Sequence, residues 1–170
     1  MIGYAKRYDL ASGILHWGIG LGIILMLGFG LYVESMPRGA DKTAMVQIHK
    51  SFGVIIGILA LARLIWRVRE GFAPPLAGTL EWERKLAGTV QRLMLLATVA
   101  MPLTGIAASI TFARPVQIFG MPFIPQLLDE KHESLNELAG LLHGLIAYTL
   151  MLLIALHIAG AVKRWLLSPR

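Results

Sequence analysis

The chain has 170 residues, the length of one domain, and 56% of them are hydrophobic, with a mean hydropathy of +0.65 that lies well above soluble usage. It contains no cysteine, which excludes c-type haem attachment, cysteine-ligated iron–sulfur clusters, thiolate zinc sites and disulfides, and leaves histidine as the candidate metal ligand. The net charge of +6 does not imply nucleic acid, because the basic residues flank apolar runs instead of lining an aromatic-studded patch; membrane topology accounts for them.

Residues 1–9 are a short basic lead, and 10–33 form an apolar run of 24 residues without an acidic or basic side chain other than His16. A secretory h-region is shorter and ends at a small-residue cleavage site, so this run reads as a retained membrane span. His16 lies near its start beside Trp17, and Gly18, Gly20, Gly22, Gly28 and Gly30 make it glycine-rich. Residues 34–44 form a polar turn with Pro37 and Gly39 as breakers.

A second span covers 45–66, with His49 and Lys50 near its start and Arg63 and Arg67 at its end. Residues 67–85 form a charged linker containing Pro74–Pro75, and 81–85 open a short amphipathic approach to a third span at 86–112. Gln91 and Arg92 sit about a turn inside that span, while Pro102 and Gly105 predict a kink of the kind neighbouring helices tolerate. Residues 114–136 are the longest connection, proline-rich and then acidic, with an apolar stretch too brief to cross that is placed at the interface. The fourth span, 137–167, is almost wholly apolar apart from His143 and His157 and closes on Lys163 and Arg164.

Four spans put both termini on one side of a bilayer. Lys and Arg number 11 on the terminal side and 5 on the other, so the positive-inside rule predicts cytoplasmic termini. That orientation gives each histidine a depth. His16 enters the first span from the cytoplasm and His157 lies six residues before Lys163, so these two share an inner level. His49, at the start of the second span, and His143, six residues past Glu137, share an outer level. His143 and His157 are 14 positions apart. One helix therefore holds up two imidazoles about 21 Å apart in rise and about 40° apart in direction.

Ionisable side chains inside a membrane are costly and are usually partnered. Two imidazoles from different helices at one depth suit a low-spin iron porphyrin, with one nitrogen above the ring and one below it. Gly20 follows His16 by four positions and Gly53 follows His49 by four, so bare backbone on the ligand face gives a flat macrocycle room to approach; helix packing is the plainer use of the same glycines. Arg63 and Arg67, one turn apart, are candidate partners for haem propionates on the cytoplasmic side, with Lys50 or Arg114 outside; a snorkelling anchor is the plainer reading of Arg63. Gln91 and Arg92 read as an interfacial cap or as a quinone contact, and His132 as a solvated loop residue.

His16–Trp17 early in the first span, a histidine opening the second, Arg63-Leu-Ile-Trp-Arg67 closing it, Pro102-x-x-Gly105 in the third and two histidines 14 apart in the fourth together resemble the prokaryotic cytochrome b561 family. The resemblance spans essentially the whole chain, and its specific part is the histidine set. It implies an all-α, four-transmembrane-helix bundle enclosing two b haems, ligated by His16 with His157 and by His49 with His143. It also implies an oxidoreductase role in electron transport, with ubiquinone as lipid-phase acceptor and, in members resembling superoxide oxidase, superoxide as donor at the outer face. Relatives often carry further histidines at the cytoplasmic end of the third span, where this chain has Gly88 and Gln91. The outer side carries six acids against five cations, so the sequence itself shows no positive funnel for an anion. A second reading makes the chain a haem-bearing membrane anchor that docks a soluble dehydrogenase, hydrogenase or c-type cytochrome through 114–136.

Overall fold

A computed structural model of the chain describes residues 10–71 and 79–167; the basic lead, the Pro74–Pro75 segment of the linker and the tail with Arg170 lie outside the described residues. Four long helices dominate: α1 (Leu10–Ser35), α2 (Ala40–Glu70), α3 (Glu81–Thr111) and α4 (Glu133–Leu167), with a hairpin of β1 (Val116–Ile118) and β2 (Met121–Ile124) between α3 and α4. Each helix is long and apolar enough to cross a membrane. At 1.5 Å per residue they measure about 39 to 52 Å, more than the roughly 30 Å of hydrocarbon in a bilayer.

The helices extend beyond the apolar runs that announce them. Residues 40–44 and 67–70 belong to α2, 81–85 to α3 and 133–136 to α4. Hydropathy marks where lipid ends, whereas backbone hydrogen bonding continues into the polar zone. Asp41, Glu81, Glu83 and Glu133 in the first turns favour that continuation by facing the positive helix ends. Pro102, where the sequence predicts a kink, lies inside α3. Lys42 Nζ donates to the carbonyls of Glu34 and Met36 at 3.0 and 2.9 Å, which satisfies acceptors left open where α1 ends.

Packing follows chain order. α1 lies against α2, α2 against α3 and α3 most extensively against α4. Side chains of α1 and α4 meet near mid-length, where Ile19, Ile23 and Leu27 of α1 surround Leu150 of α4, which is 0% exposed, and again nearer one end, where His16 faces His157. Leu15, Ile56, Met101 and Ile146 pack around this cluster. Leu150 is seven residues from both His143 and His157, so an apolar plug separates the two histidine levels. Leucines, isoleucines and phenylalanines cover much of the outer surface, as a lipid-facing bundle requires.

The hairpin lies against α2. Phe119 and Gly120 form its two-residue turn with φ of 48° and 84°, the positive pair that a tight hairpin of this twist needs. A phenylalanine is strained there, and the structure restrains it: its amide donates to Ser51 Oγ at 2.9 Å and its ring stacks edge-on against Phe52 at 5.2 Å. Ser51, 2% exposed, passes its own hydroxyl proton to the Gln47 carbonyl at 2.8 Å. Val116 of β1 is buried between α2 and α3.

Candidate metal centres

The four intramembrane histidines meet in two pairs, each between different helices. His16 of α1 faces His157 of α4 with ring centres 6.0 Å apart, and His49 of α2 faces His143 of α4 at 6.3 Å; the ring planes cross at 73° and 78°. A metal–imidazole bond of about 2 Å on each side leaves ring centres roughly 6 Å apart. Both separations therefore leave room for one metal ion between the rings. Among the described residues no group of three or more His, Cys, Asp or Glu converges. Two nitrogens fall short of a closed zinc site but would suit a metal whose remaining ligands come from a macrocycle.

The pair nearer the hairpin is set into its surroundings more closely. A cavity of about 300 Å³ on one side is lined by His49, His143, Lys50, Arg114, Gly53 and Asn136. On the other side a cavity of about 310 Å³ is lined by His49, His143, Gly30, Glu34 and Tyr148. Empty space thus lies beside both rings. Each ring rests on a glycine of the neighbouring helix: a Cβ on Gly30 would stand 3.2 Å from His49 Cε1, and one on Gly105 would stand 3.2 Å from His143 Cε1. His143 Nδ1 lies 3.1 Å from the Met101 carbonyl. A carbonyl only accepts, so the proton sits on Nδ1 and the Nε2 lone pair is left for a metal, the arrangement usual in ligating histidines. His49 Nδ1 is buried with no hydrogen-bond partner among the described residues, which marks a ring built for a partner the protein does not itself provide.

At the other level, Arg63 Nη2 donates to His16 Nδ1 at 2.9 Å. A guanidinium has no lone pair to offer, so Nδ1 accepts and Nε2 carries the proton. Metal ligation through Nε2 and this hydrogen bond exclude each other. Binding a metal there requires Arg63 to leave the ring, and a ligand carboxylate is a fitting acceptor for it. Arg67 Nη1 donates to the Gly71 carbonyl at 3.2 Å, at the C-terminal end of α2. Trp66 ties to α1 by donating to Ser12 Oγ at 3.1 Å. Trp17, Trp66, Trp82 and Trp165 are exposed at this end of the bundle, as an interfacial belt would be.

Of the two glycines named from the sequence, Gly53 lines the cavity beside His49 and a Cβ there would only touch Met26; beside Gly20 the space is open. Gly30, Gly105 and Thr104, which touch the ligand rings, carry no sequence signal beyond small size and the Pro102-x-x-Gly105 spacing. Gln91 and Arg92 lie on the exposed face of α3, and His132 is an exposed loop residue whose amide caps α3 through the Thr111 carbonyl at 2.9 Å.

The donor set therefore fits a bis-histidine iron porphyrin, and comparison with known proteins agrees with it. Cytochrome b561 homolog 2 of Escherichia coli (strain K12) is 25% identical over 160 residues, which cover 93% of this chain and 84% of that protein. The profile of the family described as prokaryotic cytochrome b561 matches residues 7–169. With nearly its full length matched and four membrane-crossing helices in place, the chain belongs to the prokaryotic cytochrome b561 family, whose members bind b-type haem and carry electrons across a membrane.

Proposed function

We propose that the chain holds two b haems, one between His16 and His157 and the other between His49 and His143, and that it reduces ubiquinone with single electrons delivered at the face opposite the termini. The observation that carries this reading is the matched pair of histidine couples, each drawn from two helices and each spaced to admit one metal ion. Bound haem supplies a one-electron redox couple. The residues do the rest. The four imidazoles would hold the iron of the two groups, one pair to each. Lys50 and Arg114, both on the wall of the cavity beside His49, provide positive charge for propionates and for an approaching anion. Arg63, released from His16, pairs with a carboxylate at the other level.

Superoxide is the donor class that fits this local charge. It gives up one electron and leaves as dioxygen, and two such electrons with two protons convert ubiquinone to ubiquinol. The lysine and arginine distribution supports cytoplasmic termini in an inner membrane, with the hairpin outside. The test is the purified chain by itself. It should show two haems per chain by pyridine haemochrome and reduce ubiquinone steadily when superoxide is generated in the assay. A colourless or single-haem preparation overturns the two-haem reading. Quinone reduction that appears only with a co-purifying dehydrogenase, hydrogenase or c-type cytochrome makes the chain a membrane anchor instead.

A further inference from the structure

One turn of α3 forms a seat for His143. Its Nδ1 lies 3.1 Å from the Met101 carbonyl and also 3.1 Å from Thr104 Oγ1. The Thr104 hydroxyl donates within its own helix, 2.8 Å from the Met101 carbonyl and 3.2 Å from the Ala100 carbonyl. Its proton is thereby spent, and an oxygen lone pair turns toward the imidazole N–H. Gly105 completes the seat, since a Cβ there would lie 3.2 and 3.4 Å from His143 Cε1 and Nδ1. His49, the opposing ring, has no counterpart: its Nδ1 is unpartnered among the described residues.

We propose that Thr104 is a positioning residue for His143, sharing the Nδ1 proton with the Met101 carbonyl so that the ring is held in one tautomer and made a stronger donor to a metal at Nε2. The inference rests on His143 being a haem ligand. Acceptors on the far nitrogen raise the basicity of a ligating imidazole. A more basic ligand favours ferric over ferrous iron, so Thr104 lowers the midpoint potential of the haem on the His49–His143 level. A merely structural role, the back-bonding of a threonine to its own helix, predicts a change in stability and none in potential.

Four forms of the purified full-length chain test this: unaltered, Thr104→Val, Thr104→Ser and His143→Ala. His143→Ala identifies the haem in question as the one it loses; if it keeps both, the ligation reading fails and with it the basis of the inference. Thr104→Val should retain both haems and move the midpoint of that haem alone to more positive values. The expected change is about threefold to tenfold in its oxidised-to-reduced equilibrium, or about 30 to 60 mV for one electron. Thr104→Ser, which keeps the hydroxyl, should restore the original midpoint. Loss of that haem in the valine form but not in the serine form also supports the proposal. Unchanged midpoints with both haems present overturn it, as does an equal shift or equal loss in valine and serine forms. Should the valine form fail to accumulate, Thr104→Ala against Thr104→Ser gives the same comparison.

Discussion

His143 shows how a residue can be conspicuous in a sequence while its setting is not. An imidazole inside an otherwise apolar run stands out because ionisable groups are costly in lipid, and its match in depth with His49 follows from counting residues along helices. The seat beneath it does not follow from counting. Gly20 and Gly53 stand on the same helix as a ligand, one turn on; the glycines that touch the rings, Gly30 and Gly105, come from the neighbouring helix. A contact between helices depends on their rotation about their own axes, and a glycine-rich α1 offers no way to single out Gly30. Two outcomes are expected at this scale. His143→Ala should remove one haem and leave the other, and a haemochrome ratio unchanged from the parent would exclude it as a ligand. Arg63→Leu removes the donor on His16 Nδ1 and the cation beside that level. The midpoint of the His16–His157 haem should fall, because a nearby positive charge favours the reduced form, and redox titration reads this directly.

The helices were legible because each apolar run outlasts the thickness of a bilayer. Their ends were not, since the polar turns at 40–44, 81–85 and 133–136 satisfy their backbone within the helix while reading as linker by hydropathy. The hairpin was less visible still. Its turn is Phe119–Gly120 instead of the asparagine–glycine that announces such a turn, and what holds it is a serine 68 positions earlier. Ser51→Ala leaves the Phe119 amide without its acceptor in a part-buried setting, a loss of about 0.5–1.5 kcal/mol. Hydrogen exchange at residues 117–121 should accelerate while the helices stay protected. α2 and α3 are fitted together at Gly57, where a Cβ would lie 2.8 Å from Pro102 Cβ and Cγ, closer than atoms of a rigid ring allow. Gly57→Ala should therefore cost about 1–3 kcal/mol through overpacking. Thermal unfolding in detergent should show it against Gly18→Ala, where the space is open.

For the molecule as a whole, the lysine and arginine asymmetry and the even number of spans predict that a reporter fused after Arg170 is cytoplasmic; a periplasmic signal would reverse every assignment of side. The order of packing, α1 on α2, α2 on α3 and α3 on α4, could not be read from spacing alone, although the assignment of ligands to α1, α2 and α4 already required those helices to enclose a common space. Leu150 and the isoleucines and leucine around it have a further consequence. Nothing in that cluster can carry a proton, so an electron passing from the proposed His49–His143 haem to the His16–His157 haem would move as uncompensated charge. Moving one elementary charge through the full field changes its energy by about 2.3 kcal/mol per 100 mV, and the distance between levels covers a large part of that field. An energised membrane, positive outside, therefore opposes the inward electron, and the same chain should turn over faster in vesicles whose voltage has been dissipated by an ionophore.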